Sequence, residues 1–446
     1  MNLTRRARLK QLGADHAQAR PEPCAKKKCM PTRKPRSSRS GIAFMPRRWR
    51  VHAGSMRQYA VALLWAGMFA SSSVYADTPA MAPLPQMGFN NWNSTHCGPE
   101  FDETMMKGIV DKIVSLSLRD AGYRYVNLDD CWADWQRDGN GNLYANPQRF
   151  PHGIKAIADY VHAHGLKFGL YSSAGTYTCQ PHTENRGFPG GLGHERQDAA
   201  FFASVGADYL KYDNCNNQNI DARQRYTAMS EALRATGRPI FYSVCEWGQN
   251  QPWLWAGRPP VGANSWRTTK DIRDNYPSML GIFKQNVMLD AYASPGHWND
   301  PDMLEIGNGG MSTTEYRSQF NLWSIMAAPL LIGTDLRKIT PADLQILLNK
   351  EVIAIDQDPL GRQGKRVRDS DGIDVIVKPL EDGGVAVALF NETDSAKPVA
   401  VAARELGLSK RTYTVRDLWT HAEMQGDGSL QVSLPAHASD LYRISM

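Results

Sequence analysis

From residue 83 onward one pattern repeats along the chain: a short run of β-branched and aromatic residues, followed by an amphipathic stretch. The stretches 105–123 and 153–165 space their apolar residues as helices do. Alternating strand and helix signals predict a parallel sheet joined by crossover helices. Eight such units over about 270 residues fit a closed (β/α)8 barrel better than an open sheet. The predicted strands cover 86–93, 123–132, 166–173, 207–215, 239–248, 265–272, 297–304 and 328–336.

Polar residues sit at the C-terminal ends of these predicted strands. A barrel gathers those ends around one mouth, so we expect the polar side chains to meet there. An open sheet would spread them apart. The residues are Asp129, Asp130, Tyr171, Lys211, Asp213, Glu246, Arg267, Asp271, Asp300 and Asp302.

The helical period stops after 351–361. Four later segments alternate apolar and polar residues between turn signals, which is typical of antiparallel strands. We therefore predict an α/β chain in two parts: a barrel over 77–361 and a smaller C-terminal antiparallel β-sandwich domain over 362–446. The alternating segments are 374–380, 383–391, 413–419 and 429–437.

The N-terminal region has a different composition. Residues 1–55 hold 15 Lys and Arg against 2 Asp and Glu. The segment 56–76, "MRQYAVALLWAGMFASSSVYA", joins a basic start to an apolar run and a small-x-small cleavage site, which predicts a secretory signal peptide. The run is shorter than a typical membrane span. The basic stretch is either a disordered arm that binds polyanions or an upstream extension of the reading frame. We favour the extension, because a signal peptide acts from the N-terminus.

Removal of the leader changes the charge of the protein. The whole chain has 51 basic and 45 acidic side chains, and residues 1–76 hold 16 of the basic and 2 of the acidic ones. The remaining chain has a net charge of −8. An acidic protein of this kind is not expected to bind nucleic acid. We predict a secreted or periplasmic protein without a membrane partner after signal cleavage; the sequence carries no indication of its oligomeric state.

Cysteine usage agrees with export. Processing would remove two of the seven cysteines and leave five, so an oxidising compartment predicts two disulfide bonds and one thiol. The sequence has no CxxC and no HExxH pattern, and we expect neither a metal nor another cofactor.

The strand 207–215, "ADYLKYDNC", carries a cation and a carboxylate on one face, because strand side chains alternate. Lys211 and Asp213 could form a structural ion pair. A nearby ammonium would also keep Asp213 ionised, and an oriented carboxylate can attack an anomeric carbon. Such chemistry needs a second carboxyl group to protonate the leaving oxygen. Asp271 is the leading candidate, and its competitors are Glu246, Asp302, Asp129 and Asp130.

The adjacent pair Asp129–Asp130 has two interpretations. One member could be satisfied in the core while the other is exposed, or both could reach the mouth where the backbone turns. Carboxylates accept hydrogen bonds from the paired hydroxyls of a sugar. Four tryptophans lie beside the polar strand ends: Trp92, Trp132, Trp247 and Trp298. Flat rings there suit the C–H face of a pyranose, although core packing is the alternative for each. These residues indicate a secreted barrel hydrolase that acts on carbohydrate.

Seven motifs in order, spread from about residue 83 to the C-terminus, together resemble the α-galactosidases (melibiases) of glycoside hydrolase family 27. Each motif alone is moderately specific, and the whole set in register is a strong signal. The motifs are "MGFNNWNSTHCG", "YVNLDDCW", "LKYDNC", "CEWG", "WRTTKDI", "WNDPDML" and "LWSIMAAPLLIGTDLR".

The resemblance implies a role for each matching residue. Asp213 matches the nucleophile, and Asp271, four residues after Arg267, matches the general acid/base. Cys97 with Cys131, and Cys179 with Cys215, match the family's disulfides, which leaves Cys245 as the free thiol. The positions that match the galactose pocket are Trp92, Asp129, Asp130, Tyr171, Lys211, Cys245, Trp247, Arg267, Asp302 and Met303.

The resemblance further implies a retaining exo-glycosidase that removes terminal α-D-galactosyl residues from galacto-oligosaccharides or galactomannan by double displacement. Bulky Glu246 and Trp247 are expected to line the pocket and exclude the 2-acetamido group that an α-N-acetylgalactosaminidase accepts. Retention of both Asp129 and Asp130 favours galactose over a β-L-arabinopyranoside. A non-catalytic carbohydrate-binding protein on the same scaffold would have lost one of the two catalytic carboxylates, and this chain has both.

Overall fold

The structure, a computed structural model, describes residues 81–183, 187–409 and 412–446. The predicted basic extension and signal peptide therefore lie outside the described residues. Among the described residues, none of the helices has the length and apolar character needed to cross a membrane.

Eight short parallel strands form the first sheet. They are β1 Met87–Asn90, β2 Tyr125–Asn127, β3 Lys167–Ser173, β4 Tyr209–Asp213, β5 Phe241–Cys245, β6 Ser265–Arg267, β7 Trp298–Asp300 and β8 Leu330–Ile332. Strands β1 to β7 pair in chain order, and β8 pairs with β1 through Met87 and Leu330. Among the described residues, one bridge, between Leu304 and Ile332, joins the segment after β7 to β8. The predicted closed (β/α)8 barrel is confirmed.

Helices follow the strands and cover the barrel. They are α1 Trp92–Thr95, α2 Glu103–Ser115, α3 Leu118–Ala121, α4 Gly153–Ala163, α5 Glu195–Val205, α6 Ala222–Ala235, α7 Tyr276–Asn286, α8 Thr313–Ile325, α9 Pro341–Leu347 and α10 Lys350–Asp356. Short 3₁₀ helices cover Pro252–Leu254, Val287–Leu289 and Ala403–Leu406. The barrel strands are buried on both faces, as expected for a parallel sheet under helices.

The prediction of one continuous helix over 105–123 is wrong, because the structure has two helices there, α2 and α3. The side chain of Asp102 accepts a hydrogen bond from the N–H of Met105 and caps α2, which then ends at Ser115. Ser117 has φ 60°, a left-handed conformation that an α-helix cannot contain. The periodicity continued through this break because α2 and α3 both turn an apolar face to the barrel.

The C-terminal domain is a β-sandwich, as predicted. Its strands are β9 Lys365–Ser370, β10 Ile373–Pro379, β11 Val385–Asn391, β12 Lys397–Val401, β13 Tyr413–Asp417, β14 Glu423–Gly426, β15 Leu430–Leu434 and β16 Ser439–Ser445. Six form an antiparallel sheet in the order β14-β13-β16-β11-β10-β9, and β12 pairs with β15 in a second sheet. The first strand begins at Lys365; the exact boundary between residues 361 and 362 stays a prediction.

Strand β11 shows why this sheet alternates so regularly. Val387 and Leu389 pack into the core of the sandwich. Ala388 and Phe390 face the opposite way, into the apolar core that the domain shares with the barrel. The ring of Phe390 meets that of Phe283 on α7 at 5.5 Å between centroids. Both faces of β11 are therefore buried, one in the core of the sandwich and one in the core shared with the barrel.

Candidate active site

A cavity of about 140 Å³ lies at the carboxyl ends of the barrel strands. Such a volume is below the roughly 300–1,000 Å³ of sites for drug-sized ligands and suits one sugar ring. A wider groove of about 1060 Å³ lies outside the barrel along α5 and α6. Among the described residues, two carboxylates line that groove and five line the small cavity, so the small cavity is the better candidate for acid–base chemistry. The small cavity is lined by Trp92, Asp129, Asp130, Tyr171, Cys179, Lys211, Asp213, Cys215, Trp247, Arg267, Asp271, Asp302 and Met303.

Strand β4 delivers both Lys211 and Asp213 to the cavity, as the alternation of its side chains predicts. The direct partner of Lys211 is Asp129: its Nζ lies 2.8 Å from Asp129 Oδ2. Asp213 instead accepts hydrogen bonds from the hydroxyl of Tyr171 at 3.1 Å and from the N–H of Asn214 at 2.9 Å. The simple ion pair between Lys211 and Asp213 is therefore not formed, although the ammonium lies near enough to act on both carboxylates.

Asp213 is a buried carboxyl group. Burial raises the pKa of Asp213 to about 7, against the opposing charge of Lys211 and with a further increase from the charge of Asp271. The mutual effect of Asp213 and Asp271 makes them an interacting pair, so their protons belong to the pair as a whole.

Asp271 lies at the edge of the cavity, with its side chain 62% exposed. Its Oδ1 accepts a hydrogen bond from Nη2 of Arg267 at 3.0 Å. Partial burial tends to raise the pKa of Asp271, but the charges of Arg267 and Lys211 outweigh it and hold that pKa below its usual value. The two carboxyl groups of the pair thus have different environments, one enclosed and one open to solvent.

Both members of the Asp129–Asp130 pair face the cavity, which resolves the two interpretations of that motif. Asp129 Oδ2 accepts from Asn90 Nδ2 at 2.7 Å, in addition to Lys211. Asp130 accepts from the N–H groups of Cys131 and Gln180 at 2.8 and 2.9 Å. Burial raises the pKa of Asp130 to about 6. Cys131 has φ 73°, so the chain makes a left-handed turn directly after the pair.

Arg267 connects the loops after β6 and β7. Its Nη2 lies 2.9 Å from Asp302 Oδ2 and 3.0 Å from Asp271 Oδ1. Its Nη1 donates to the sulfur of Cys245 at 3.7 Å, so that buried thiol lies behind the guanidinium. Cys245 is not among the lining residues itself.

Two disulfide bonds join Cys97 to Cys131 and Cys179 to Cys215, the pairs that the resemblance implies. Cys179 and Cys215 also line the cavity, which the sequence analysis did not foresee. The available signal was the position of Cys215, two residues after Asp213. This disulfide fixes the loop after β3 beside the end of β4.

Trp132 and Trp298 do not line the cavity, because both rings are buried in the core and donate to backbone carbonyls. Glu246 and Asp300 do not line it either. The carboxylate of Glu246 is fully buried and accepts two hydrogen bonds, at 2.8 and 3.0 Å, from the N–H of Asn250. Burial raises its pKa to about 7. Trp247 follows with φ 58°, so the chain turns and only Trp247 faces the cavity. The expectation that Glu246 lines the pocket is therefore not met, because its side chain turns into its own loop.

Two groups of side chains in the described residues have spacing compatible with a metal ion. Cys179, Asp213 and Cys215 form the first, but both sulfurs are already used in the disulfide. Asp369, Asp374 and Glu392 form the second, in the C-terminal domain, where Arg366 and Lys284 already pair with them.

The barrel and its pocket of carboxylates define a glycoside hydrolase. Comparisons with known proteins identify which one. The family model described as "Alpha galactosidase A" matches residues 84–358, and the model of the α-galactosidase C-terminal β-sandwich domain matches 370–444. The chain belongs to the α-galactosidase (melibiase) family.

Individual relatives agree with this assignment. An α-galactosidase from Cyamopsis tetragonoloba is 47% identical over 370 residues, which cover 82% of this chain and 88% of the relative. The crystal structure of α-galactosidase I from Mortierella vinacea is similar with a TM-score of 0.78 and 36% identity, over 82% of this chain and 98% of that one. A structure of an α-galactosidase from Saccharomyces cerevisiae with raffinose has a TM-score of 0.74 and 31% identity, with coverage of 82% and 98%.

Proposed function

We propose that this α-galactosidase is a retaining exo-enzyme, with Asp213 as nucleophile and Asp271 as general acid/base. The observation that carries the proposal is the convergence of these two carboxyl groups on one cavity that suits a single sugar ring. Retaining glycosidases hold their two carboxyl groups roughly 5–5.5 Å apart, so that both reach the same anomeric carbon.

In the first step, a carboxylate oxygen of Asp213 forms a bond to the anomeric carbon while the glycosidic bond breaks. Asp271 gives its proton to the leaving oxygen, and the aglycone departs. In the second step, Asp271 removes a proton from water, the water oxygen bonds to the anomeric carbon, and Asp213 is released. Two inversions at one carbon retain the configuration.

The shared proton must lie on Asp271 at the start of this cycle. In the empty pocket, burial raises the pKa of Asp213 to about 7, while that of Asp271 is below its usual value. A bound sugar covers Asp271 and removes water from it, which raises the pKa of that carboxyl group. Lys211 favours the charged form of Asp213. Substrate binding therefore moves the proton toward the acid/base.

For the substrate, we infer a terminal α-D-galactosyl group of a galacto-oligosaccharide or galactomannan. Asp129, Asp130 and Lys211 offer acceptors and a donor to the sugar hydroxyls, and the rings of Trp92 and Trp247 offer apolar faces. The raffinose in the yeast relative supports an oligosaccharide substrate. Because Glu246 turns away, exclusion of a 2-acetamido group rests on Trp247.

We also propose that the protein is secreted or exported to the periplasm after cleavage of segment 56–76. The boundary between its two domains is proposed to lie between residues 361 and 362.

A comparison of three p-nitrophenyl substrates tests the sugar preference: the α-galactoside, the N-acetyl-α-galactosaminide and the β-L-arabinopyranoside. We expect the α-galactoside to have the highest kcat/KM, and a preference for either of the others would refute the assignment. The NMR spectrum of the first product should show the α-anomer; a β-anomer would exclude retention. Asp213→Ala should abolish turnover while the protein still unfolds at the same temperature. Asp120→Ala, on the outer helix α3, is the control and should leave both the turnover rate and the unfolding temperature unchanged.

A further inference from the structure

Asp302 has a backbone that residues other than glycine seldom adopt. Its φ is 80°, in the left-handed region, and the residue is buried at the wall of the cavity. Such a conformation persists where surrounding contacts hold it, and it is frequent at functional sites.

Two buried groups hold the peptide units on either side of Asp302. The carboxylate of Asp300, at the end of β7, accepts a hydrogen bond from the N–H of Asp302 at 2.8 Å. The indole Nε1–H of Trp323, on α8, donates to the carbonyl of Asp302 at 2.8 Å. Asp300 is 4% exposed and Trp323 is fully buried, so water cannot replace either bond.

This part of the barrel depends on side chains because its ladder is incomplete. Within the described strands, β7 and β8 share no ladder, and one bridge between Leu304 and Ile332 closes the ring. Helix α8 supplies the missing bonds: besides Trp323, Gln319 donates to the carbonyl of Met303 at 3.1 Å. Gln319 and Trp323 are four residues apart and so share one helix face.

The held conformation sets the position of the Asp302 carboxylate, which in turn holds the segment of Asp271. Asp302 Oδ2 accepts from the N–H of Ile272, the residue after Asp271, at 2.9 Å. It also lies 2.9 Å from Nη2 of Arg267, the same nitrogen that donates to Asp271. Asp302 is thus bonded both to the peptide next to the acid/base and to the cation that contacts it.

We propose that Trp323 and Asp300 are positioning residues for acid catalysis: they fix the backbone of Asp302, which fixes Asp271 against the leaving oxygen. This inference rests on the proposed role of Asp271. Neither residue lines the cavity, so both act through Asp302.

The inference predicts a dependence on the leaving group. A p-nitrophenolate departs with little help from an acid, whereas the methanol of methyl α-galactoside needs a proton. If Asp271 is misplaced, hydrolysis of the methyl glycoside suffers more. A loss of folded protein would lower both rates by the same factor, so the ratio of the two kcat/KM values is independent of the folded fraction.

Trp323→Phe keeps an aromatic ring but removes the N–H and part of the indole volume, a loss of volume that the control below shares. We expect it to lower kcat/KM for methyl α-galactoside about tenfold more than for p-nitrophenyl α-galactoside, a modest part of the 10²–10⁴-fold that acid catalysis contributes. Asp300→Leu should change the ratio in the same direction, and it provides the test if Trp323→Phe does not fold. Asp300→Asn keeps an acceptor and should restore most of the ratio.

Trp298→Phe is the matched control, because this buried indole also donates to a backbone carbonyl, that of Ala82, away from the cavity. Its ratio should equal that of the unmodified enzyme. Asp271→Asn provides the reference for complete loss of the acid. If Asp271→Asn changes the ratio and neither Trp323→Phe nor Asp300→Leu does, the inference is overturned and the proposed function stands. If Asp271→Asn leaves the ratio unchanged, the acid/base assignment fails, and the inference fails with it.

Discussion

Lys211 Nζ and Asp129 Oδ2 lie 2.8 Å apart, although 82 positions separate the two residues in the sequence. Their side chains are only 14% and 2% exposed. The ammonium thus compensates the negative charge of a buried carboxylate. The same cation also acts on the proposed nucleophile, where its charge partly offsets the rise that burial causes in the pKa of Asp213.

Lys211→Met should therefore affect both carboxylates. Loss of the cation raises the pKa of Asp213 further, so the basic limb of the pH profile of kcat/KM moves to higher pH. The rate at the optimum falls, because Asp129 loses its partner. Lys167→Met is the control, since Lys167 lies at the start of β3, over the ring of Tyr125. An unchanged basic limb in Lys211→Met would show that this ammonium does not tune the pair.

The pH profile of the unmodified enzyme is a second test. The reaction needs one proton on the pair Asp213–Asp271. In the free enzyme that proton dissociates near the pKa of Asp213, about 7, so kcat/KM should fall as the pH rises through this value. A second proton binds only below the lowered pKa of Asp271, so activity should persist well into acid. Measurements across about pH 3 to 9 decide this; a rate still rising above pH 8 contradicts it.

The disulfide between Cys179 and Cys215 should support both stability and activity. It closes a segment with a sequence separation of 36, so Cys179→Ser with Cys215→Ser should lower the free energy of unfolding by about 3–4 kcal/mol. Because both residues line the cavity, the activity per folded molecule should fall too. The bond between Cys97 and Cys131, with a separation of 34, is a control matched in length whose residues do not line the cavity. Equal loss of specific activity in both double variants would argue against this role.

Glu246 and Trp247 are adjacent in the sequence but point in different directions. Substitutions at the two positions should therefore have different effects on substrate binding. Glu246→Gln keeps an acceptor for the N–H of Asn250 and should change KM for p-nitrophenyl α-galactoside by less than about twofold. Trp247→Ala should raise KM and increase the relative rate on the N-acetyl substrate, since it removes bulk from the cavity wall. A large increase in KM for Glu246→Gln would return this carboxylate to the substrate site.

Strand periodicity and strand-end chemistry were readable from the sequence for local reasons. The alternation in "LKYD" fixes the side of β4 that Lys211 and Asp213 occupy, and parallel strands bring their carboxyl ends to one mouth. What was missed depends on backbone turns and distant partners. The positive φ of Trp247 separates its direction from that of Glu246. The pairing of Lys211 with Asp129 depends on the register of three strands.

The support from α8 was also beyond sequence reasoning. Trp323 lies in a motif that carried the family resemblance, but nothing in its spacing connects an indole on a helix with the carbonyl of Asp302. That contact exists because the ladder between β7 and β8 is incomplete, a property of barrel closure rather than of any one strand.

The bridge between Leu304 and Ile332 also has a consequence for how such an enzyme changes over time. Where a continuous ladder joins two strands, the backbone itself sets the wall of the pocket, and substitutions behind it mainly alter stability. At this junction the wall also depends on side chains, those of α8 and that of Asp300 at the end of β7. Selection for a new sugar preference should therefore leave substitutions on the inner face of α8, out of reach of the ligand, as well as among the residues that touch it.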